Sequence, residues 1–157
     1  MDQPISGDWR GAYFYDREQQ RPPDGSGVGF ELHLRQSWLQ RLFGWFSGTV
    51  TDETQRGMPG IGRISGSVRG QTIRFTKLMP IAYVVHEGRK ISVRDLLREH
   101  GYDPGYDISH RPISYLGTFS SSESASGTWC IAEGPLHVTS RISIPMHTCT
   151  GTWTLSR

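Results

Sequence analysis

Between positions 86 and 110 the chain carries His86, Glu87, Asp95, Glu99, His100, Asp103, Asp107 and His110. These are the residue types that ligate metals or move protons. A metal centre needs three or four converging nitrogen and oxygen donors. General acid–base work needs a carboxylate and an imidazole held together and tuned by burial. His86 could meet His110 if the intervening segment folds back. No spacing singles out a pair or a triplet, and a solvated excursion explains the same residues. No catalytic residue, metal ligand or cofactor is therefore assigned. The chain has no G-x-S-x-G elbow and no P-loop. GMPGIGRISG places glycines at 57, 60, 62 and 66, the wrong spacing for a dinucleotide loop, and it leads into a strand. Cys130 and Cys149 lack a CxxC spacing. Alternation from the neighbouring Trp129 and Trp153 puts their sulfurs on opposite faces, so two unbridged thiols are expected.

The aromatic residues are more informative. Trp38, Trp45 and Phe46 lie close together in SWLQRLFGWF, with Leu39, Leu42 and Phe43 between them. Such a cluster packs a barrel end, rims a pocket or faces a partner. Tyr102 and Tyr106, in GYDPGYD, have an apolar body and a polar tip, which suits a loop over a mouth as well as simple loop packing.

Charge narrows the partners. The formal net charge is +2, with ten basic and eight acidic residues in 1–80 and seven of each in 81–157. Neither half is polarised, so no nucleic-acid partner is expected. Fifteen of the seventeen basic residues are Arg, which suits carboxylate or phosphate recognition and also fits a simple bias in base composition. The longest apolar runs, LFGWF and IAYVV, fall far below the ~20 residues of a membrane-crossing helix, so no membrane partner is expected either. MDQPISGDWR lacks a basic stretch followed by an apolar one, which makes a cytoplasmic location the expectation.

Alternation with period two dominates the chain and argues for strands. Val28, Phe30, Leu32 and Leu34 share one face of GVGFELHLRQ. Ile64 and Val68, Ile73 and Phe75, and Ile113, Tyr115 and Phe119 repeat the pattern. LHVTSRISI reads as one more strand, with Leu136, Val138, Ile142 and Ile144 on one side. SVRGQTIRF reads as a hairpin through Arg69-Gly70. SVRDLLREHG, residues 92–101, reads as a helix, with Ser92 as N-cap, Asp95 three residues on and Gly101 as the stop. A second helical spacing, over Trp38-Leu39 and Leu42-Phe43, is very short. Gly-Thr-Trp occurs at 127–129 and 151–153, with looser copies SGTV, SGSV and LGTF. Alternation puts Gly and the aromatic on one face and Thr on the other, which is a device of a closing sheet rather than of a ligand site. The expected fold is all-β: an antiparallel up-and-down barrel of about eight to ten strands, with one short helix inserted, in a single domain over 1–157.

Gly7-Asp8-Trp9 is similar to the G-x-W that opens the first strand of lipocalins. With its size and Gly-aromatic strands, the chain resembles the calycin-type barrels, the lipocalin and avidin superfamily. The resemblance implies that Trp9 plugs the closed end and packs on a late Arg, either Arg157 or Arg141. The T-D-Y motif of that family has no counterpart at its place, since Thr51-Asp52 comes too early. The resemblance also implies an apolar-ligand binder.

The favoured reading is therefore a barrel that binds a small apolar or aromatic ligand. Phe30, Leu32, Leu34, Phe75 and Tyr115 would line it, Trp38, Trp45 and Phe46 would stand at a rim, and the 92–101 helix with Tyr102 would lid it. It requires a cavity of roughly 300 Å3 or more. The alternative is a ligand-free interaction module, with a homodimer through the Trp38–Phe46 cluster left open. A barrel isomerase or cyclase comes third and requires a buried His, Asp or Glu at a cavity.

Overall fold

A computed structural model describes residues 5–17, 24–132, 134–146 and 148–157. The first four residues, part of the segment read for a leader, lie outside this set. In chain order the elements are β1 (Gly7–Tyr15), β2 (Val28–Arg35), α1 (Trp38–Leu42), β3 (Trp45–Asp52), β4 (Ile61–Arg69) and β5 (Thr72–Leu78). There follow β6 (Tyr83–His86), β7 (Arg89–Ser92), α2 (Val93–Glu99), β8 (Ile113–Ser121), β9 (Ser124–Ile131), β10 (Gly134–His137), β11 (Ser143–Met146) and β12 (Cys149–Ser156). Strands β1–β5, β8, β9 and β12 close an antiparallel barrel in the order β1-β2-β3-β4-β5-β8-β9-β12 and back to β1. Apart from the two insertions, this is the up-and-down order that the alternation implies.

The Gly-Thr-Trp copies explain how the barrel closes. They pair antiparallel with each other, so that Gly127 faces Trp153, Thr128 faces Thr152 and Trp129 faces Gly151. The bare backbones of Gly151 and Gly117 make room for rings, and Gly127 lets the β8 backbone pass close by. A Cβ on Gly151 would lie 2.5 Å from Trp129 Nε1, and one on Gly117 2.5 Å from Trp153 Cζ2. The indoles complete the fit, since Trp129 Nε1 donates to the Phe14 and Thr152 carbonyls at 3.1 Å and Trp153 Nε1 to the Thr128 carbonyl at 3.0 Å. Gly66, paired with Phe46 on one side and Phe75 on the other, follows the same rule.

The interior is packed. Phe75 stacks on Tyr115 with ring centres 4.5 Å apart, and Trp153 meets both edge-on. At the closed end Trp9 is buried and donates to the Ile5 carbonyl at 2.8 Å. The Arg157 guanidinium lies 5.0 Å above its ring, so Arg157 rather than Arg141 packs there.

The helix read at 92–101 forms. Ser92 Oγ accepts the Asp95 amide at 3.0 Å, and beyond Glu99 the Gly101 and Tyr102 amides return to the Arg98 and Leu97 carbonyls around Gly101 at φ +81°. This is a Schellman ending. The short spacing at 38–42 also folds as a helix, because Ser37 and Gln40 make a reciprocal capping box. Two details differ from the sequence reading. The hairpin after β4 turns through Gly70-Gln71, one residue later. LHVTSRISI is not one strand but a hairpin in which Leu136 pairs with Ile144, with Thr139 Oγ1 gathering the Arg141 and Ile142 amides at the turn.

Both insertions leave the same end of the barrel. The first, β6–β7–α2, packs on the second, β10–β11, through Ala82, Val93, Ile108, Leu136 and Val138. They build a small second core at the end opposite Trp9 and α1.

Candidate functional site

The site follows from the parity of the barrel strands. On β3 the inward positions are Phe46, Gly48, Val50 and Asp52. On β5 they are Ile73, Phe75 and Lys77. Each strand thus ends its apolar face, at the roofed end, with a charge. The two charges form an ion pair with side chains 0% and 2% exposed. Asp52 is fully occupied, because Lys77 Nζ donates to Oδ1, while the Met58 amide and the Tyr13 hydroxyl donate to Oδ2 at 3.1 and 3.3 Å. The Lys77 ammonium also sits 5.0 Å from the Tyr13 ring centre and 5.7 Å from that of Phe30. Burial pulls the Lys77 ammonium below its ordinary value and Asp52 pulls it back up.

Above this pair lies a cavity of about 170 Å3, roofed by the β6–β7 hairpin. Its floor and walls include Tyr13, Tyr15, Ile113, Tyr115, Trp129 and Ile131, and its roof Tyr83 and Val84. The hairpin turns through Glu87 and Gly88, at φ +50° and +75°, a tight two-residue connection. It is latched to the loop after β3 by Lys90, whose Nζ donates to the Gly57 carbonyl at 3.0 Å and lies 5.3 Å from the Tyr83 ring centre. Trp129 stands edge-on to Tyr15 at 5.2 Å and to Tyr13 at 5.9 Å.

The phenols and the imidazole at this cavity are neutral near pH 7, while Arg56 and Lys90 bring positive charge to its edge. Burial pushes Tyr15 up to about 12 and drives Tyr13 and Tyr115 further above the phenol range. Burial also lowers His110, against its bond to the Arg111 carbonyl. A carbonyl can only accept, so the 2.7 Å contact from His110 Nδ1 to that oxygen fixes the proton on Nδ1. The neutral ring therefore keeps Nε2 as an acceptor. The site offers aromatic surface, phenol hydroxyls and one imidazole acceptor, with the Arg56 and Lys90 cations at its edge held by Glu53 and the Gly57 carbonyl. It can seat a small uncharged molecule, while the charge of Asp52 is spent on Lys77, Tyr13 and Met58.

Of the residues singled out from sequence, Tyr115 lines this cavity. Phe30, Leu32, Leu34, Phe46 and Phe75 are buried in the barrel but do not line it. Trp38 and Trp45 are exposed at the opposite end. Tyr102 lies in the loop after α2, outside the cavity, so the roof is the β6–β7 hairpin rather than α2 with its tyrosine loop. The volume of this partly open cavity is also smaller than the roughly 300 Å3 that the sequence reading required, because the aromatic side chains fill the rest of the barrel. The acidic residues of 86–110 gather no metal site: among the described residues no group of three or more His, Cys, Asp or Glu is placed to hold an ion. Four of them pair with Arg instead, Asp95 with Arg98, Glu99 with Arg89, Asp103 with Arg94 and Arg98, and Asp107 with Arg94. His86 meets His100 at 6.1 Å rather than His110. Cys130 faces outward and Cys149 packs toward the core, so the two thiols lie on opposite faces of the sheet. Asp52, Lys77 and His110 were not selected as a site by sequence. For the first two the signal was present, as a charge on the apolar parity of a strand.

A second, wider concavity of about 900 Å3 lies outside the barrel across β4, β5, β8, β9 and β12. Ser65, Ser67, Arg74, Thr76 and Thr128 line it. It is open to water, and Asp16, Trp45 and Cys130 line it as well. Among the described residues no helix is long and apolar enough to cross a membrane.

No family model and no curated protein matches this chain. Among solved structures, that of EF1p2_mFAP2b bound to DFHBI is similar to it, at a TM-score of 0.56 and 13% identity over 98% of this chain and 93% of that one. At that identity the likeness is one of fold, and it places this chain among closed β-barrels.

Proposed function

We propose that this chain is a one-domain, calycin-type barrel that binds a small, uncharged aromatic molecule beneath the β6–β7 hairpin. The cavity between the Tyr13, Tyr115 and Trp129 rings and the Tyr83–Val84 roof carries this reading. The cavity falls short of the roughly 300 Å3 of an ordinary ligand pocket, which restricts the reading to a single ring: a cavity of about 150 Å3 lined by apolar side chains takes up benzene, and this one holds about 170 Å3. A barrel of similar fold holding DFHBI supports a ligand in this architecture. Trp9 under Arg157 at the closed end supports the calycin kinship. The His110 Nε2 acceptor favours a ligand with a hydroxyl donor, so phenol should bind about tenfold tighter than toluene, the worth of one net hydrogen bond.

Calorimetric titration of both compounds tests this. Val84→Phe, which places a ring in the roof, should abolish both signals while the barrel stays folded. Equal affinity for the two compounds would remove His110 from the reading. Absence of binding by both, or binding unaffected by Val84→Phe, would contradict the site.

A further inference from the structure

The α1 segment reverses the usual polarity of a surface helix. Its polar residues tie it to itself and to the barrel: Gln40 Oε1 accepts the Ser37 amide at 2.9 Å, Gln40 Nε2 donates to Ser47 Oγ at 3.3 Å, and Gln36 Nε2 donates to the Trp45 carbonyl at 2.8 Å. Its apolar residues face out. Trp38 is 76% exposed and Leu42 68% exposed, with Leu39, Phe43 and Trp45 also on the surface. No residue of the helix is buried. A surface helix ordinarily turns its apolar stripe inward, so a face held this way round, with Phe43 and Trp45 rings 5.3 Å apart, is built to be covered by something else.

Charge says what covers it. Arg35 and Arg41 are exposed within the same segment. The Val68 amide donates to the Gly44 carbonyl at 2.7 Å, which seats the exposed Arg69 beside α1. Arg74 stands in the outward row Trp45–Ser67–Arg74. Among the described residues none of these four has an ion-pair partner. Toward the mouth, by contrast, Arg56, Arg89, Arg94 and Arg98 each reach a carboxylate. The sequence carries no Asp or Glu at 32–51 or at 54–86.

We propose that this end of the barrel docks on an anionic lipid bilayer. Trp38, Leu39, Leu42, Phe43 and Trp45 enter the headgroup region, and Arg35, Arg41, Arg69 and Arg74 meet lipid phosphates and carboxylates. A second copy of this chain would oppose like charges across the patch, and an unadorned polyanion would leave the apolar face wet. That no helix among the described residues can cross a bilayer does not bear on a protein that lies on the surface. Docked this way, the β6–β7 roof points to water. The inference is independent of the ligand proposed above.

Vesicle flotation of the full chain tests it, with phosphatidylcholine alone against phosphatidylcholine holding about one third phosphatidylserine, where four cations should raise partition at least tenfold. Trp emission should shift to the blue on binding, since Trp38 and Trp45 are exposed while Trp9, Trp129 and Trp153 are already buried. Trp38→Ser with Leu42→Ser should abolish binding. Arg41→Gln with Arg69→Gln should weaken it only on the anionic vesicles, and salt should do the same. All four side chains are exposed, so circular dichroism should not change. Equal binding to both vesicles, binding that survives Trp38→Ser with Leu42→Ser, or no vesicle binding with self-association in sedimentation would each overturn the proposal.

Discussion

Asp52 and Lys77 are two full charges held away from water, and their worth lies in each other. Removing one leaves the other buried without a counter-ion, so Lys77→Met should cost about 3–5 kcal/mol. Lys77→Met combined with Asp52→Leu should recover only part of that loss, because it removes the unpaired charge but leaves the Met58 amide and the Tyr13 hydroxyl without their acceptor. Urea denaturation of the single and double variants checks both. His110 makes a separate, pH-dependent contribution. Its folded value lies below the ordinary 6.5, so on acidification the unfolded chain takes up the proton first. Its contribution is complete above pH 6.5 and is lost as pH falls from there toward the folded value. Denaturation curves should therefore show wild type losing more stability than His110→Gln over that window. At this scale the sequence holds half the answer. Phe46-x-Gly48-x-Val50-x-Asp52 and Ile73-x-Phe75-x-Lys77 announce two charges on apolar faces, which survive only when paired. That they pair with each other depends on the closure of the barrel, which alternation within one strand does not contain. His110 lies in a loop with no periodicity to read.

The repeated Gly-Thr-Trp is an element-scale device: Gly151 is the space that the facing Trp129 ring needs, and Gly127 the space that the neighbouring β8 backbone needs. A Cβ on Gly151 would lie 1.8 Å from the Phe14 carbonyl and 2.5 Å from the Trp129 indole. Gly151→Ala should therefore cost about 1–3 kcal/mol through overpacking, while Thr152→Val, on the outward face, should change stability little. Thermal unfolding of the two variants distinguishes this from a general intolerance of the motif. Elements with chemical end signals were legible. Ser92 and Gly101 bound α2, and the Pro104-Gly105 turn follows with Gly105 at φ +78°. The β6–β7 hairpin was not, because its turn puts Glu87 in a left-handed conformation that Glu seldom adopts. Nor was the β10–β11 turn, whose Thr139 hydroxyl replaces the glycine or proline that usually marks one.

The whole molecule has two unlike ends. One is closed by Trp9 beneath Arg157 and edged by the outward apolar face of α1. The other is roofed by two insertions packed on each other, with a small aromatic cavity between roof and barrel. The closed all-β architecture was legible because every barrel strand carries one apolar face. The position of the cavity was not. It depends on which rings fill the barrel and where they stop, and that is settled by cross-strand pairing such as Phe75 on Tyr115 and Trp153 against both. The central claim is that the space beneath the β6–β7 hairpin is the ligand site. The most direct test is a crystal soaked with an iodophenol and measured for anomalous scattering from iodine. The account predicts one strong peak among Tyr13, Tyr115, His110 and Val84. A peak confined to the outer concavity beside Arg74 and Leu116, or no ordered iodine at all, would contradict it.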